Sequence, residues 1–397
     1  MPSASIIQHL ASKSNCYPHK NYQKNVIILS DMGKTKVDIS FLISLGILVV
    51  AGYLIFTSAS LGLLSKQAVK YSNVAFNQTF FGLFLGLILC FITSRIDYKI
   101  YRRYSILIFI FSVLATLLVF IPAISISHGG ASRWITLGFS TFQPSELLKI
   151  GFIIFFSAWV AKFKDKIQTF KYGFLPFIIL ISITGFILLS QPDTDTFLII
   201  IFSGIAIFIA GGGKWRYIFI SIIIGAFCLI ALAVAKPYVM SRINTFLNPG
   251  DNSLGSGYQI QQSLIAIGSG GIFGRGFGQS IQKFNVLPEP IGDSIFAVAS
   301  EEFGFLGAVF IVLLFVFFSF RGLKIATQIS DPFGRLVVVG IVILIVSQAF
   351  VNIGAMVGVL PLSGITLPFV SHGGTALFMT LAEVGIILNI SKNRKKN

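Results

Sequence analysis

Asp293 is the side chain of this sequence that is best placed to do chemistry. It lies in the stretch LPEPIGDS, where proline and glycine interrupt regular structure, immediately before a long apolar run. This position predicts a carboxylate at the water-facing end of a membrane span. An ionisable group at such a depth is costly unless the protein uses it, and a partly desolvated carboxylate can act as a general base. We therefore take Asp293 as a candidate functional-site residue.

A second group of charges begins another apolar run, at QPSELLK in residues 143–149. Pro144 suits the first position of a helix, and Glu146 suits its first turn. Lys149 follows three residues later on the same helix face, so the two are predicted to form an outward-facing pair. The alternative is a capped helix start with a lysine that extends towards the membrane surface. The functional interpretation is favoured because charges within spans are rare.

Other acidic positions have a structural interpretation beside the functional one. Asp193, in QPDTD, precedes an apolar run and is either an N-cap or a site residue. Glu383 lies inside the last apolar run and needs a partner or a proton, with a polar link between helices favoured over chemistry. Glu301 and Glu302 begin the eighth apolar run, and at least one of them is interpreted as a helix-start charge.

The elements that must position these residues are membrane helices. The 397 residues are 55% hydrophobic and 11% charged, with a mean hydropathy of +0.86, which excludes a soluble globular protein. About ten apolar runs are long enough to cross a bilayer. They predict an all-α polytopic protein with spans near 39–58, 76–94, 105–125, 144–161, 173–190, 194–211, 216–235, 295–320, 336–354 and 373–390.

The formal net charge of +16 follows the topology of these spans and does not indicate nucleic-acid binding. Most lysines and arginines fall on one side, in the N-terminal tail and in segments 95–103, 162–171, 214–216, 321–335 and 392–396. The positive-inside rule therefore predicts a multi-pass membrane protein with both termini in the cytoplasm. The predicted organisation is a cytoplasmic tail (1–37), a transmembrane domain (38–391) and a basic tail (392–397). Segment 236–294 is the large extracytoplasmic loop between spans 7 and 8, and Met32 is an alternative start of the chain.

Several other classes of chemistry find no support in the motifs. The glycine-rich run from Gly268 to Gly278 matches neither of the nucleotide-binding patterns GxGxxG and GxxxxGK(S/T), and it follows no predicted strand. The four histidines lack metal-ligand spacing, and the three cysteines give no disulfide framework. Residues 258–268 have helical apolar spacing and predict a short amphipathic helix at the interface.

Taken together, the outward segments resemble the SEDS family, whose members include FtsW, RodA and SpoVE. The resemblance is carried in order by GGASRWITLGFSTFQPSELLK, QPDTDTF, GYQIQQSLIAIGSGGIFGRGFGQSIQKFNVLPEPIGDSIFAV, EEFGFLG and NIGAMVGVLPLSGITLPFVSHGG, and it runs from roughly Asp38 to Ser391. Two of these segments look more like the FtsW branch than the RodA branch. The resemblance implies a peptidoglycan glycosyltransferase acting on lipid II, partnered by a class B penicillin-binding transpeptidase.

The resemblance also assigns roles to residues of this chain. The family's catalytic aspartate falls on Asp293, and the candidate supporting and substrate-binding residues are Arg133, Glu146, Lys149, Asp193, Glu289 and Ser371. The chain departs from the family pattern near the acceptor pocket, with Gly292, Ser294 and His372 in place of the usual threonine, aromatic residue and tyrosine.

The mechanism expected from this set is transfer of the glycan from undecaprenyl diphosphate to a hydroxyl of lipid II. Asp293 would take the proton, and Arg133 and Lys149, or a divalent cation such as Mg²⁺ or Mn²⁺, would stabilise the leaving diphosphate. A lipid II flippase and a non-catalytic scaffold of the division machinery are the alternatives. Segment 236–294 is a candidate contact for the partner, or else it lines the substrate groove.

Overall fold

The computed structural model describes residues 37–64, 68–128, 131–137, 140–248, 255–284 and 286–394. The predicted N-terminal tail, with the alternative start at Met32, lies outside the described residues except for residue 37, and the last three residues of the basic C-terminal tail lie outside them too.

Helices account for most of the described chain. They are α1 (Ile39–Ser60), α2 (Ala68–Phe76), α3 (Leu85–Arg95), α4 (Tyr98–Arg103), α5 (Ser105–Leu117), α6 (Pro144–Lys162), α7 (Leu175–Ser190), α8 (Thr194–Ala210), α9 (Trp215–Ala235), α10 (Pro237–Leu247), α11 (Ser256–Ser269), α12 (Ile295–Gln328), α13 (Pro332–Met356) and α14 (Gly374–Ser391). Wider π-helical turns, Asn77–Phe84 and Phe170–Phe174, precede α3 and α7.

The helical membrane fold predicted from the sequence is confirmed. Within the described residues, eight helical stretches are long and apolar enough to cross a bilayer. Two predicted spans form shorter apolar helices, Ser105–Phe120 and Thr194–Ala210. Every one of the ten predicted runs is therefore largely helical, and the chain is a multi-pass membrane protein. Segment 236–294 contains α11, which confirms the short helix predicted at 258–268, and α10, which was not predicted.

One element was not predicted, a small antiparallel sheet in the outer segment 126–143. Its strands are β1 (Ser125–His128), β2 (Ala131–Leu137) and β3 (Ser140–Phe142), with β2 in the centre. The aromatic and β-branched residues of SRWITL favour extended backbone. Ile135 pairs with Ser125 on one side and with Phe142 on the other. The sheet leads directly into α6, and it carries Arg133.

The centre of the bundle is formed by α6, α13 and α14. Between 72% and 78% of their most apolar stretches is buried, against 12% for α9. These central helices carry the polar residues Glu146, Lys149, Gln348, Asn352 and Glu383. Such side chains avoid the lipid only on helices that are surrounded by protein.

Helix α12 is interrupted at Gly304, where φ is 67° and ψ is −166°. Glycine is required there because this backbone conformation strains other residues, and because a β-carbon would lie 2.3 Å from the backbone nitrogen of Gly274. The interpretation of Glu301 or Glu302 as a mere helix-start charge was wrong. Both lie beyond the first turn of α12, their exposed fractions are 0% and 1%, and both are paired.

The two ends of the described domain are joined at Asp38. Its carboxylate caps α1 by accepting a hydrogen bond from the Phe41 amide at 2.9 Å. It also accepts hydrogen bonds from Arg321 at 2.8 Å and from Arg394. Burial alone would raise the pKa of this carboxyl, but these donors hold it below its usual value. The start of the predicted basic tail is thus packed against the beginning of the first span.

Candidate active site

Asp293 lies in a turn between Leu287 and the start of α12. Glu289 adopts the left-handed conformation (φ 45°), and its carbonyl accepts hydrogen bonds from the amides of Gly292 and Ser294, at 3.1 Å each. The Asp293 carbonyl accepts a hydrogen bond of 2.9 Å from the Asn352 side-chain amide. These hydrogen bonds fix the shape of the turn, and Asn352 attaches it to α13.

The loop before α14 clamps the same turn from another direction. The Ser371 hydroxyl donates to the Gly292 carbonyl at 2.8 Å and accepts from the Leu367 amide at 2.8 Å. The His372 amide donates to the Ile291 carbonyl at 2.7 Å. Ser371, predicted as a substrate-binding residue, thus supports the turn that carries Asp293. Its hydroxyl already donates one hydrogen bond and accepts another within the protein.

The carboxylate of Asp293 has no hydrogen bond or ion pair with any other described residue, and it is half-buried. Burial raises the pKa of Asp293 to about 7, to which the carboxylates of Glu289 and Asp195 contribute, while Arg242 and Arg133 oppose the rise. A carboxyl with a pKa near the working pH can both take up and release a proton. The carboxylate oxygens of Asp293, which would exchange this proton, form no hydrogen bond with other described residues.

Two arginines flank the carboxylate across Gly364. A β-carbon on Gly364 would lie 3.7 Å from Nη1 of Arg133, 4.0 Å from Nη2 of Arg242 and 3.9 Å from Oδ2 of Asp293. Gly364 itself is exposed. The missing side chain therefore leaves an open notch between one carboxylate and two guanidinium groups. We call this space the Gly364 notch.

Two aspartates at the start of α8 hold the arginines in place. Asp195 Oδ2 lies 2.8 Å from Nη1 of Arg242 and accepts the Gly364 amide at 3.2 Å. Asp193 Oδ1 lies 3.9 Å from Nη1 of Arg133. The other terminal nitrogen of Arg133, Nη2, donates to the Pro192 carbonyl. Asp193 accepts the Thr196 amide at 3.4 Å as well, so it is both an N-cap and an arginine partner.

Polar atoms without a partner gather near the same notch. Within the described residues, Arg133 Nε, Asp193 Oδ2, Ser363 Oγ and Asn352 Oδ1 are buried and unpaired. Burial raises the pKa of Asp193, against the effect of Arg133. Buried polar groups without partners are unusual in folded proteins and often mark a site that a ligand completes.

Glu146 and Lys149 form the predicted pair, with 2.8 Å between Oε2 and Nζ. The pair is not outward-facing, however, because the exposed fractions of the two residues are 5% and 2%. Lys149 Nζ also donates to Gln348 Oε1 at 3.0 Å, and the Gln348 amide donates to the Thr366 carbonyl at 3.0 Å. This chain of contacts connects α6, α13 and the loop that carries Gly364, so the pair supports the site from inside the bundle.

The remaining predicted residues lie at the rim. Glu289 is exposed and faces its own turn, close enough to raise the pKa of Asp293. His372 stacks on Phe56 with 6.0 Å between ring centroids, and burial lowers its pKa to about 4, so the ring is neutral. Its Nε2 atom has no partner among the described residues.

The sequence interpretation missed Arg242, Asp195, Gln348 and Asn352 as site residues. Gln348 and Asn352 lie four residues apart within an apolar span, which places them on one helix face. That spacing was an available signal. Arg242 and Asp195 gave no local signal, because their contact joins residues that are 47 positions apart.

No group of three His, Cys, Asp or Glu side chains that could hold a metal ion occurs among the described residues. The described side chains alone therefore do not form a metal site. The predicted divalent cation would need further ligands from a substrate.

A family model and individual relatives of known sequence point to the same family. The FtsW/RodA/SpoVE family, described as cell cycle protein, matches residues 38–396. Stage V sporulation protein E of Bacillus subtilis is 38% identical over 354 residues, covering 87% of this chain and 96% of the relative. The probable peptidoglycan glycosyltransferase FtsW of Geobacter metallireducens is 40% identical over 311 residues, covering 78% and 83%.

Solved structures show the same fold. A chain from a structure described as "Structural coordination of polymerization and crosslinking by a peptidoglycan synthase complex" superposes with a TM-score of 0.75 and 25% identity, covering 91% of this chain and 99% of that one. The rod shape determining protein RodA of Thermus thermophilus gives a TM-score of 0.64 and 25% identity, covering 91% and 98%.

Proposed function

The chain belongs to the FtsW/RodA/SpoVE family, and from this premise we propose that it is a peptidoglycan glycosyltransferase that polymerises lipid II with Asp293 as its general base. The observation that carries the role of Asp293 is the Gly364 notch. A carboxylate that has no partner among the described residues faces an open space that is shared with Arg133 and Arg242.

The proposed reaction forms one glycosidic bond, breaks the bond to the diphosphate and transfers one proton. The 4-hydroxyl oxygen of N-acetylglucosamine in lipid II attacks the anomeric carbon of the growing glycan, and the bond from that carbon to undecaprenyl diphosphate breaks. Asp293 takes the hydroxyl proton as the oxygen attacks. Its raised pKa suits it to this role, because a base works best when its pKa is near the working pH.

The leaving diphosphate gains negative charge, and the arginines of the notch are placed to stabilise it. Guanidinium groups bind phosphate oxygens through two parallel hydrogen bonds. Arg242 takes the part that the sequence interpretation gave to Lys149, whose ammonium group is occupied by Glu146 and Gln348 inside the bundle. Asp193 and Asp195 hold the arginines in place.

A divalent cation that binds together with the diphosphate is a separate proposal. Because the described side chains do not form a metal site on their own, no step above depends on one. Polymerisation measured with and without a chelator, followed by titration of Mg²⁺ or Mn²⁺, tests it. Unchanged activity in the chelator would contradict the proposal.

The flippase and scaffold alternatives are less well supported. In secondary transporters the substrate site lies near the bilayer midplane, whereas Asp293 lies in a turn outside its span. A scaffold needs no unpartnered carboxylate between two arginines. Several of the relatives are also named as probable peptidoglycan glycosyltransferases.

We also propose that the partner is a class B penicillin-binding protein, and that Asp293 lies on the extracytoplasmic face of the inner membrane with both termini in the cytoplasm. The structural relative comes from a peptidoglycan synthase complex, which supports the first proposal. The distribution of basic residues supports the second.

Polymerisation by the purified protein with its partner and labelled lipid II tests the proposed function. We expect Asp293→Asn to abolish polymer formation while binding of the partner remains. Asp165→Asn is the matched control, since it makes the same change at an exposed position in the α6–α7 connection. Normal polymerisation by Asp293→Asn would contradict the role of Asp293, and export of lipid II without any polymer from the unmodified protein would favour the flippase.

A further inference from the structure

The glycine-rich part of the outer segment presents large apolar side chains to its surroundings. From Gly271 to Phe284, which we call the aromatic segment, Ile272, Phe273, Phe277 and Ile281 are exposed by 62%, 80%, 53% and 58%. The segment contains no acidic residue. Contiguous apolar exposure of this kind marks a surface that something apolar covers.

The aromatic segment continues a surface that already faces lipid. The amides of Phe305 and Leu306, just past the break in α12, donate to the carbonyls of Gly271 and Ile272 at 2.8 Å and 3.2 Å. Phe305 and Leu306 are themselves 65% and 54% exposed, and they begin the outward face of the rest of the span. The segment therefore lies against the membrane-spanning part of α12.

The irregular backbone of the aromatic segment obtains its hydrogen bonds from the protein. The amides of Arg275 and Gly276 donate to the carbonyls of Glu301 and Glu302, at 3.0 Å and 2.9 Å. The Glu301 carboxylate accepts the amides of Ile281 and Gln282, at 3.1 Å and 3.3 Å. Non-helical backbone at membrane depth is tolerated only when protein, and not lipid, satisfies its polar groups.

The segment has two charged residues, of which the partly exposed Arg275 lies 3.3 Å from Glu301 and Lys283 is enclosed by the protein. Lys283 is 1% exposed, and its ammonium group lies 2.7 Å from Glu302 Oε1, 3.1 Å from the Ser58 hydroxyl and 2.9 Å from the Gly278 carbonyl. Three donated hydrogen bonds are the full capacity of an ammonium group. A water-exposed loop would have no need of this enclosure, because water would serve its charges and amides directly.

We propose that the aromatic segment is a re-entrant element that lies in the bilayer leaflet on the Asp293 side, with Ile272, Phe273, Phe277 and Ile281 in contact with lipid acyl chains. The buried glutamates Glu301 and Glu302 replace the water that its backbone and its lysine would otherwise need. The segment ends nine residues before Asp293 in sequence. Its insertion therefore fixes the level of the site relative to the membrane surface. The proposal does not depend on the proposed function.

Spin labelling of the full chain in lipid nanodiscs tests this placement. Nitroxide labels at Phe273→Cys and Ile281→Cys report relative accessibility to oxygen, which concentrates in lipid, and to a water-soluble nickel complex. Cys16 and Cys228 are replaced by serine, and the signal of this background, which retains the buried Cys90, is subtracted. Leu313→Cys, on the exposed face of α12, is the lipid reference, and Asp165→Cys is the water reference.

We expect both labels in the segment to favour oxygen over the nickel complex, as Leu313 does, in the protein alone. Accessibility like that of Asp165 at both positions would overturn the proposal. So would labels that are open to water in the protein alone and become protected only when the partner is added, since the surface would then be a protein contact. Two independent positions guard against one label disturbing the fold, which size-exclusion chromatography checks.

Discussion

Replacing Asp293 by asparagine should stabilise the protein while it abolishes activity. The pKa of this carboxyl is about 7 in the folded state, against a usual value of 3.8. The folded state therefore holds the proton more tightly than the unfolded chain does, and stability is lost as the pH rises from about 4 through 7. Asparagine carries no charge at any of these pH values, so the variant escapes that loss.

The expected gain follows from the two pKa values. Linkage gives roughly 2 kcal/mol at pH 5 and roughly 4 kcal/mol at pH 8, with little further change above that. These are upper values, because Asp293 is only half-buried and solvent screens part of the effect of its charge. The dependence on pH is more diagnostic than the size of the gain.

Thermal unfolding of the purified protein in detergent, measured at pH 5, 6, 7 and 8, is the assay. The midpoint of Asp293→Asn should exceed that of the unmodified protein by a margin that grows with pH and levels off near pH 8. Asp165→Asn should show no such margin, since that side chain is exposed. A margin that is constant with pH, or a less stable variant at pH 8, would refute the assignment of a partly desolvated carboxylate with a raised pKa.

Three further predictions concern the same site. The polymerisation rate at saturating lipid II should rise about tenfold per pH unit below pH 6 and level off above 7, because only the deprotonated Asp293 accepts a proton; a flat profile between pH 5 and 8 would contradict this. Lys149→Met should destabilise the protein by about 3–5 kcal/mol, since Glu146 is left as an uncompensated buried charge. In thermal unfolding, the double variant Glu146→Gln/Lys149→Met should recover most of this loss. No recovery would mean that the two side chains are not coupled. Gly364→Val should reduce turnover at least tenfold, and Gly364→Ala less so, with both midpoints of unfolding unchanged because Gly364 is exposed; equal activity of all three proteins would show that the notch does not hold substrate.

The sequence was sufficient to predict the helical membrane fold and the position of Asp293. Ten apolar runs of span length lead to a polytopic protein without further information, and a carboxylate before such a run is informative because its cost is so high. The Glu146–Lys149 pair followed from helical spacing alone. Each of these inferences uses residues that are neighbours in the chain or on one helix.

The rest of the site depends on contacts between distant segments. Arg242 reaches Asp195 from another element, and Gly364 contacts Asp195 because a loop near the end of the described chain returns to the same place. The depth of Lys149 was misjudged because a position near a helix start says nothing about how many neighbours surround it. Glu301 and Glu302 were undervalued for the same reason, since their partners lie in the preceding glycine-rich segment.

The contacts of Asp38 set an order of events during synthesis of the protein. The first span is made early, but Arg321 follows 283 residues after Asp38, and Arg394 follows 356 residues after it. Synthesis proceeds from the N-terminus, so Asp38 waits at the membrane surface without either arginine until most of the helices have been inserted. The Arg394 contact can form only after α14, the last described span, has been made. A chain truncated before Arg394 would therefore keep every described span but lack this contact to the first one.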